Sequence, residues 1–457
     1  MGLALLTLAG AGVLAGCSAV PRLVPDLAHS PAKGVPLHGA QGPLPARRSA
    51  AMLDRMEDSV SDTGIFDEHL AREEAITSGP LTTGNRVQLL QDGPATYQAM
   101  LAAILSARNH INLETYILDD DDVGQRFAQA LIEKRRQGVV VNLIRDSVGT
   151  LGTPSAFFER LADAGVRVLE FNPVNPINAR ADWSVNQRDH RKLLIVDGHT
   201  AFLGGINISS VYSGGSVSKG WKARPSGTPA WRDTDLQLQG PVVAELQQMF
   251  LAAWQAQQGE PLQPAAYLPR SEAAGQEVVR AIASAPGEAG SQIYATLLSA
   301  IASARRSVRI TQAYFVPDPQ LLRALEAAAA RGVDVRLILP ARSDSGLVFH
   351  AGRSHYQRLL EAGVKIHERR GVILHAKTAL IDGVWATVGS TNLDWRSFVH
   401  NHELNAVVLG AGFGRQMQAM FAADLAASDE ITLAQWRQRP VLLRIKEGFS
   451  RLWAYWL

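Results

Sequence analysis

The pattern His-x-Lys-x-x-x-x-Asp occurs twice in this chain of 457 residues, first as His190, Lys192 and Asp197, then as His375, Lys377 and Asp382. An asparagine follows each histidine by 17 residues, Asn207 and Asn392. Such a set can break a phosphodiester without a metal or a cofactor. One neutral histidine attacks phosphorus to give a phosphohistidine, and the other, protonated, hands a proton to the leaving oxygen. The lysines and the asparagine amides supply fixed donors for the charge that builds on the phosphoryl oxygens. Each histidine also needs an acceptor on its second ring nitrogen. Alignment of the two copies pairs Asp233 with Glu403, one carboxylate per half, as those acceptors. Asp197 and Asp382 complete the pattern, but Asp-Gly marks a turn in both copies, so their expected role is structural.

These residues must be carried on strands. Lys192 and Lys377 sit two positions after their histidines, a spacing that puts both side chains on one face of an extended segment. The runs Leu193–Val196 and Thr378–Ile381 have strand character. Upstream, strands are expected at Arg86–Leu90, Ile111–Ile117, Val139–Ile144 and Val166–Phe171. Helical spacing lies between them at Tyr97–Arg108, Val123–Gln137 and Pro154–Ala164. The second half replays this order, with Val308–Phe315, the helix Pro319–Ala330 and the strand Val333–Leu339. The offset is 198 residues from Tyr116 to Tyr314, 185 from His190 to His375, and 170 from Asp233 to Glu403. An extra loop of 15 residues within Val211–Pro229 accounts for the last step. The fold class is therefore α/β, with two duplicated domains (84–270 and 271–435) built of β-α-β units on a largely parallel sheet. They form a pseudo-two-fold pair around one shared cleft.

An apolar fraction of 46% and a charged fraction of 19% describe a globular chain. A net charge of +2 gives no electrostatic case for a nucleic-acid partner. The one cysteine, Cys17, excludes an intramolecular disulfide and a cysteine-based metal site. Residues 1–16 read as an apolar export signal too short to span, and residues 17–83 as a Pro/Gly-rich tether, with folded sequence starting near Gly84. At the other end, residues 436–457 place Trp436, Leu442, Ile445, Phe449, Leu452, Trp453 and Trp456 at helical spacing. Arg444, Lys446, Glu447 and Arg451 occupy other faces, as in a helix lying in a membrane interface. Asp119–Asp122 read as carboxylates favouring the following helix N-terminus rather than as a cation site. His350, His355, His400 and His402 read as surface or cleft-lining residues rather than metal ligands.

His190/Lys192/Asp197 with Gly204-Gly205-x-Asn207, and His375/Lys377/Asp382 with Gly389-Ser390-x-Asn392-x-Asp394-x-Arg396-Ser397, resemble the phospholipase D superfamily. Leu113–Ile117, Gly138-Val139, Trp231-x-Asp233 and Gly240-Pro241 make the chain most similar to bacterial cardiolipin synthases over roughly residues 84–430. The resemblance implies transfer of a phosphatidyl group through a covalent histidine to an alcohol, with phospholipids such as phosphatidylglycerol as partners. It implies His190 as nucleophile and His375 as acid. Gly205 stands where the second copy has Ser390, so only one half is expected to offer a hydroxyl to the phosphate. Leu14-Ala15-Gly16-Cys17 resembles a bacterial lipoprotein signal. That implies a lipid on Cys17 and a periplasm-facing place in the cell envelope, held to the membrane surface by that lipid and the C-terminal helix. Competing readings are a hydrolase releasing phosphatidic acid, a nuclease, and an inactive lipid-binding envelope protein.

Overall fold

The computed structural model describes residues 34–60, 62–175, 184, 186–214, 229–287 and 290–457. Cys17 and the export signal lie outside these residues, as does most of the extra loop, 215–228. The expected tether is corrected over its second part. It forms strands β1 (Leu37–Gly39) and β2 (Gly42–Pro43) and helices α1 (Ala46–Asp58) and α2 (Leu70–Ile76). Leu37, Ile65 and Leu70 are wholly buried in the core of the second half, with Met52, Leu53 and Met56 packed against it. The prolines misled because Pro45 occupies the N-cap of α1, where a missing N–H costs the helix nothing.

The first half runs through β3 (Leu81–Gln91), α3 (Asp92–Ser106), β4 (His110–Thr115), α4 (Asp122–Arg136), β5 (Val140–Asp146), α5 (Ser155–Asp163) and β6 (Arg167–Phe171). It continues with β7 (Arg188–Asp189), β8 (Leu193–Val196), β9 (Thr200–Gly204), β10 (Ala230–Arg232), β11 (Thr234–Gln239) and α6 (Val242–Ala256). The second half repeats it with β12 (Glu277–Ser284), α7 (Gln292–Ser303), β13 (Ser307–Gln312), α8 (Pro319–Ala330), β14 (Asp334–Pro340), α9 (Gly346–Arg353), α10 (Tyr356–Glu361) and β15 (Lys365–Arg369). Then come β16 (Val372–Leu374), β17 (Lys377–Ile381), β18 (Trp385–Gly389), α11 (Trp395–Val399), β19 (Asn401–Leu409), α12 (Ala411–Ala426) and β20 (Ser428–Ile431). Helices α13 (Leu433–Arg437) and α14 (Val441–Arg451) close the chain.

The sheet order is β6-β5-β4-β8-β9-β11-β3 in the first half and β15-β14-β13-β17-β18-β19-β12 in the second. Antiparallel pairing of β3 with β12 joins the two into one sheet related by a pseudo-two-fold axis. One apolar cluster runs through the junction, with Leu246 and Phe250 of α6 and Phe413 and Met417 of α12. The duplicated α/β architecture is as read from the repeat. The expectation of a largely parallel sheet is corrected: within these two strand orders only β4-β5-β6 and β13-β14-β15 are parallel, and every other neighbouring pair is antiparallel. The strands that return from the motifs do so through tight hairpins, which impose antiparallel pairing.

Those hairpins locate the motif aspartates. Asp197 and Gly198 both have positive φ (53° and 66°), as do Asp382 and Gly383 (51° and 74°), the backbone of a two-residue hairpin turn. Asp197 accepts from the backbone amides of Arg108, Asn109 and His110 at 2.8–2.9 Å. Asp382 accepts from those of Arg305, Arg306 and Ser307 at 2.8–3.0 Å. Each carboxylate therefore fastens the hairpin to the start of the neighbouring antiparallel strand, β4 or β13, at the end of β8 or β17 away from its histidine.

Candidate active site

His190 follows β7 and His375 follows β16, two very short strands that cross from one half into the other. β7 pairs with β19 through Asn401↔Arg188 and His402↔Asp189, while β16 pairs with β10 through Trp231↔Ile373 and Arg232↔Leu374. The backbone N–H of His190 donates to the carbonyl of His402 at 3.0 Å, and that of His375 to the carbonyl of Arg232 at 2.8 Å. His402 and Arg232 each immediately precede the carboxylate of the other half. The two motifs are thereby zipped onto each other's acceptors.

The carboxylates are exchanged between the halves. His190 Nδ1 lies 3.0 Å from Oε1 of Glu403, and His375 Nδ1 lies 2.6 Å from Oδ2 of Asp233. Both carboxylates are fully buried and both histidines nearly so. With Nδ1 engaged, Nε2 of each ring is the nitrogen left for chemistry. Lys192 and Lys377 are buried beside their histidines, and each Nζ donates to the carbonyl of its own histidine. Lys377 Nζ also lies 2.9 Å from Nδ1 and 3.1 Å from Nε2 of His375.

Charge in this enclosed space is strained toward neutrality. Burial, then the two lysines and His375, hold His190 well below the usual imidazole range. Burial and Lys377 bring His375 down to about 4 against the pull of Asp233. Burial lowers Lys192 to about 7 and Lys377 to about 8, and raises Glu403 to about 7. A bound phosphodiester would reverse this balance, because its negative charge favours the protonated lysines and a protonated histidine.

Two expectations about donors change. Ser390 does not face the phosphate position with a free hydroxyl: it donates to Glu403 Oε2, and it accepts from the Leu404 amide at 3.0 Å. At Gly205 an added Cβ would lie 2.3 Å from Oδ1 and 2.7 Å from Oδ2 of Asp233. Aspartate is one methylene shorter than glutamate, so its carboxylate occupies the volume that the serine fills in the other half. Gly205/Asp233 and Ser390/Glu403 are two solutions of one packing problem. The Asn207 amide group is likewise engaged, donating to the Tyr212 hydroxyl at 3.0 Å and accepting from the Ile117 amide at 3.2 Å. Asn392 keeps a buried side-chain oxygen without a hydrogen-bond partner, and its backbone amide donates to Ser397 Oγ at 3.2 Å.

Aromatic rings that the motif spacing does not announce wall the site. The ring centroid of Tyr116 is 5.1 Å from that of His190, and those of Trp231, Tyr212 and Tyr314 are 5.0, 5.6 and 6.1 Å from that of His375. The Tyr212 hydroxyl also stands 3.3 Å from His375 Nδ1. Tyr116 and Tyr314 are repeat equivalents and could have been found from that alone. Tyr212 aligns with Ser397 and carries no such signal. Away from the site, Asp121 caps α4 by accepting from the amides of Val123 and Gly124. His355 is buried and His350, His400 and His402 are half-buried, so none of these histidines is exposed.

Comparison with known proteins agrees with this architecture. The sequence profile described as "Cardiolipin synthase, PLD-like domain" matches residues 100–212 and 297–425. The chain is 38% identical over 376 residues to a cardiolipin synthase of Geobacillus kaustophilus, covering 82% of this chain and 72% of that one. It is also 38% identical over 366 residues to cardiolipin synthase 2 of Bacillus anthracis, covering 79% and 69%. In three dimensions it is similar to the phosphatidylserine synthase of Haemophilus influenzae Rd KW20, with a TM-score of 0.61 at 13% identity, over 81% of this chain and 95% of that one. Fold and duplicated site thus define a phospholipase D-like protein. The chain belongs to the cardiolipin synthase family and is an enzyme, a phosphatidyltransferase of that superfamily.

Proposed function

We propose that this enzyme makes cardiolipin, moving the phosphatidyl group of one phospholipid, such as phosphatidylglycerol, onto a hydroxyl of a second. The observation that carries the reading is the crossed pair of buried histidine–carboxylate contacts, each leaving Nε2 available beside a buried lysine. His190, assigned as nucleophile by family resemblance, attacks phosphorus through the Nε2 lone pair. A P–N bond forms, the P–O bond to the leaving glycerol breaks, and protonated His375 gives that oxygen its proton. The acceptor hydroxyl then returns its proton to His375 as its oxygen attacks phosphorus and releases His190. Glu403 and Asp233 hold the rings and balance the imidazolium charge. Lys192 and Lys377 neutralise the non-bridging oxygens in a water-poor cavity.

Purified protein incubated with phosphatidylglycerol vesicles tests this. Cardiolipin and glycerol in equal amounts are expected, with a 32P-labelled protein intermediate caught by rapid detergent quenching of the wild type during turnover and absent in His190→Ala. Phosphatidic acid as the main product would favour the hydrolase. No turnover by the wild-type chain would sink both readings. We also propose, from Leu14-Ala15-Gly16-Cys17, that a lipid on Cys17 holds the enzyme to the cell envelope, facing the periplasm. Labelled palmitate should enter the wild type and not Cys17→Ala.

A further inference from the structure

The exposed large apolar side chains of this protein are not scattered. Six of them on the C-terminal segment are each at least 60% exposed: Leu442, Ile445 and Phe449 at 60–63%, Trp456 at 64%, Val441 at 67% and Leu452 at 77%. On α14 the first three recur at three- and four-residue spacing and form one stripe. The opposite side of the helix is fixed to the protein, where buried Glu447 pairs with Arg439 at 2.9 Å and the helix lies along α9. The stripe is thus an outward face on a firmly seated helix.

Two further exposed residues lie beyond the C-terminal ends of parallel strands in the sheet that carries the active site. Leu151 follows β5 and Leu347 opens α9 after β14, the equivalent strand of the second half. Both loops lean on the tyrosines of the site. An added Cβ at Gly149 would lie 2.0 Å from the Tyr116 carbonyl oxygen, and Asp344 accepts from the Tyr314 hydroxyl at 2.7–2.8 Å. The C-terminal segment reaches the same place. The Arg396 amide donates to the Leu457 carbonyl at 3.0 Å, and Tyr455 packs on Trp395 with ring centroids 5.5 Å apart. Both partners belong to α11, which leads directly into β19 and Glu403.

From this placement we infer that α14, the C-terminal turn and the loops bearing Leu151 and Leu347 form one docking face for an anionic bilayer, seating the mouth of the active site against the lipid surface. The inference rests on the reading of phospholipids as substrates. Charge selects the occupant: Arg444, Lys446 and Arg451 of α14 are exposed beside the stripe, while the one acidic residue of α14, Glu447, is buried and paired. A basic rim around Leu, Ile, Phe and Trp matches a negatively charged interface. Among the described residues no helix is long and apolar enough to cross a membrane. This face lies on the bilayer rather than through it.

The single cysteine makes the test direct. In the full chain carrying Cys17→Ser and Leu442→Cys, an environment-sensitive dye at position 442 should shift to the blue on addition of phosphatidylglycerol vesicles, and much less with phosphatidylcholine. A second chain carrying Leu442→Glu, Ile445→Glu and Phe449→Glu should partition onto the anionic vesicles about a hundredfold more weakly. It should turn over vesicular phosphatidylglycerol correspondingly slowly, and monomeric short-chain phosphatidylglycerol at the wild-type rate. Equal loss on both substrates, or no loss on either, would overturn the inference. So would a dye already blue-shifted without vesicles, which would mean that a second copy or another segment of the chain covers the face. Wild-type protein inactive on both substrates would refute the lipid-transfer reading, while the dye and partition measurements would still decide the docking face.

Discussion

The packing of Asp233 against Gly205 makes a sharp prediction, because the space there is exhausted. A methyl at position 205 would sit 2.3 Å from Asp233 Oδ1 and 2.8 Å from Cγ, about 1 Å inside any tolerable contact. In Gly205→Ala the carboxylate must retreat by roughly that distance, and it is the group held 2.6 Å from His375 Nδ1. Overpacking of this kind costs about 1–3 kcal/mol of stability. A misplacement of about 1 Å in a catalytic array costs roughly a hundredfold in rate. Gly205→Ala should therefore lower kcat for conversion of phosphatidylglycerol about a hundredfold with little change in KM. Gly205→Ser should behave alike. Combining Gly205→Ser with Asp233→Glu copies the solution of the second half and should recover at least about tenfold over Gly205→Ser alone, since contacting pairs are non-additive. Initial rates in mixed micelles would measure all four proteins. Wild-type kcat in Gly205→Ala, or a double variant no better than the single one, would refute the claim that this glycine exists to admit the aspartate.

Other consequences are equally open to measurement. Asp235, buried beside Asp233, has its carboxyl pushed well above the usual range, and the equivalent residue of the second half is the neutral Asn405. The unfolded carboxyl ionises first as pH rises, so this residue drains stability increasingly above about pH 4. Asp235→Asn should raise the melting temperature more at pH 8 than at pH 4. Anion binding should follow the lysines: with Lys192 at about 7 and Lys377 at about 8, inhibition by inorganic phosphate should weaken as pH rises through that window. An inhibition constant flat from pH 6 to 9 would contradict this assignment. Asp382→Ala strips three backbone amides of their acceptor and should cost about 2–4 kcal/mol in urea unfolding, with activity per folded molecule kept.

What the sequence disclosed follows from what repetition can encode. Residues present in both halves, such as the His–Lys pairs, Asp233 with Glu403, and the strand–helix order, align with themselves and so stand out. Which carboxylate serves which histidine could not be read, since alignment compares the halves but is silent on how they cross. The packing of Ser390 under Glu403 was hidden for a related reason: a hydroxyl near a phosphate site looks like a ligand until the one-methylene difference between Asp and Glu is set in space. Residues 37–76 escaped notice because prolines around them suggested a tether, whereas their partners Ile293, Leu297 and Trp385 lie more than 200 residues away. Tyr212, aligned with a serine and standing beside the extra loop of the first half, had no periodic signal at all.

The exchange of carboxylates has a consequence in time. His190 waits for a partner 213 positions further along the chain, and no shorter product of synthesis contains a complete histidine–carboxylate pair for it. A ribosome that has delivered the first half has made strands β3 to β11 but no complete site. The histidine proposed to attack phosphorus is thus kept without its carboxylate until β19 has emerged and folded back across β7. The same wiring ties the fates of the two halves: a substitution that dulls one carboxylate disables the histidine of the other, so neither half can drift toward a separate trade.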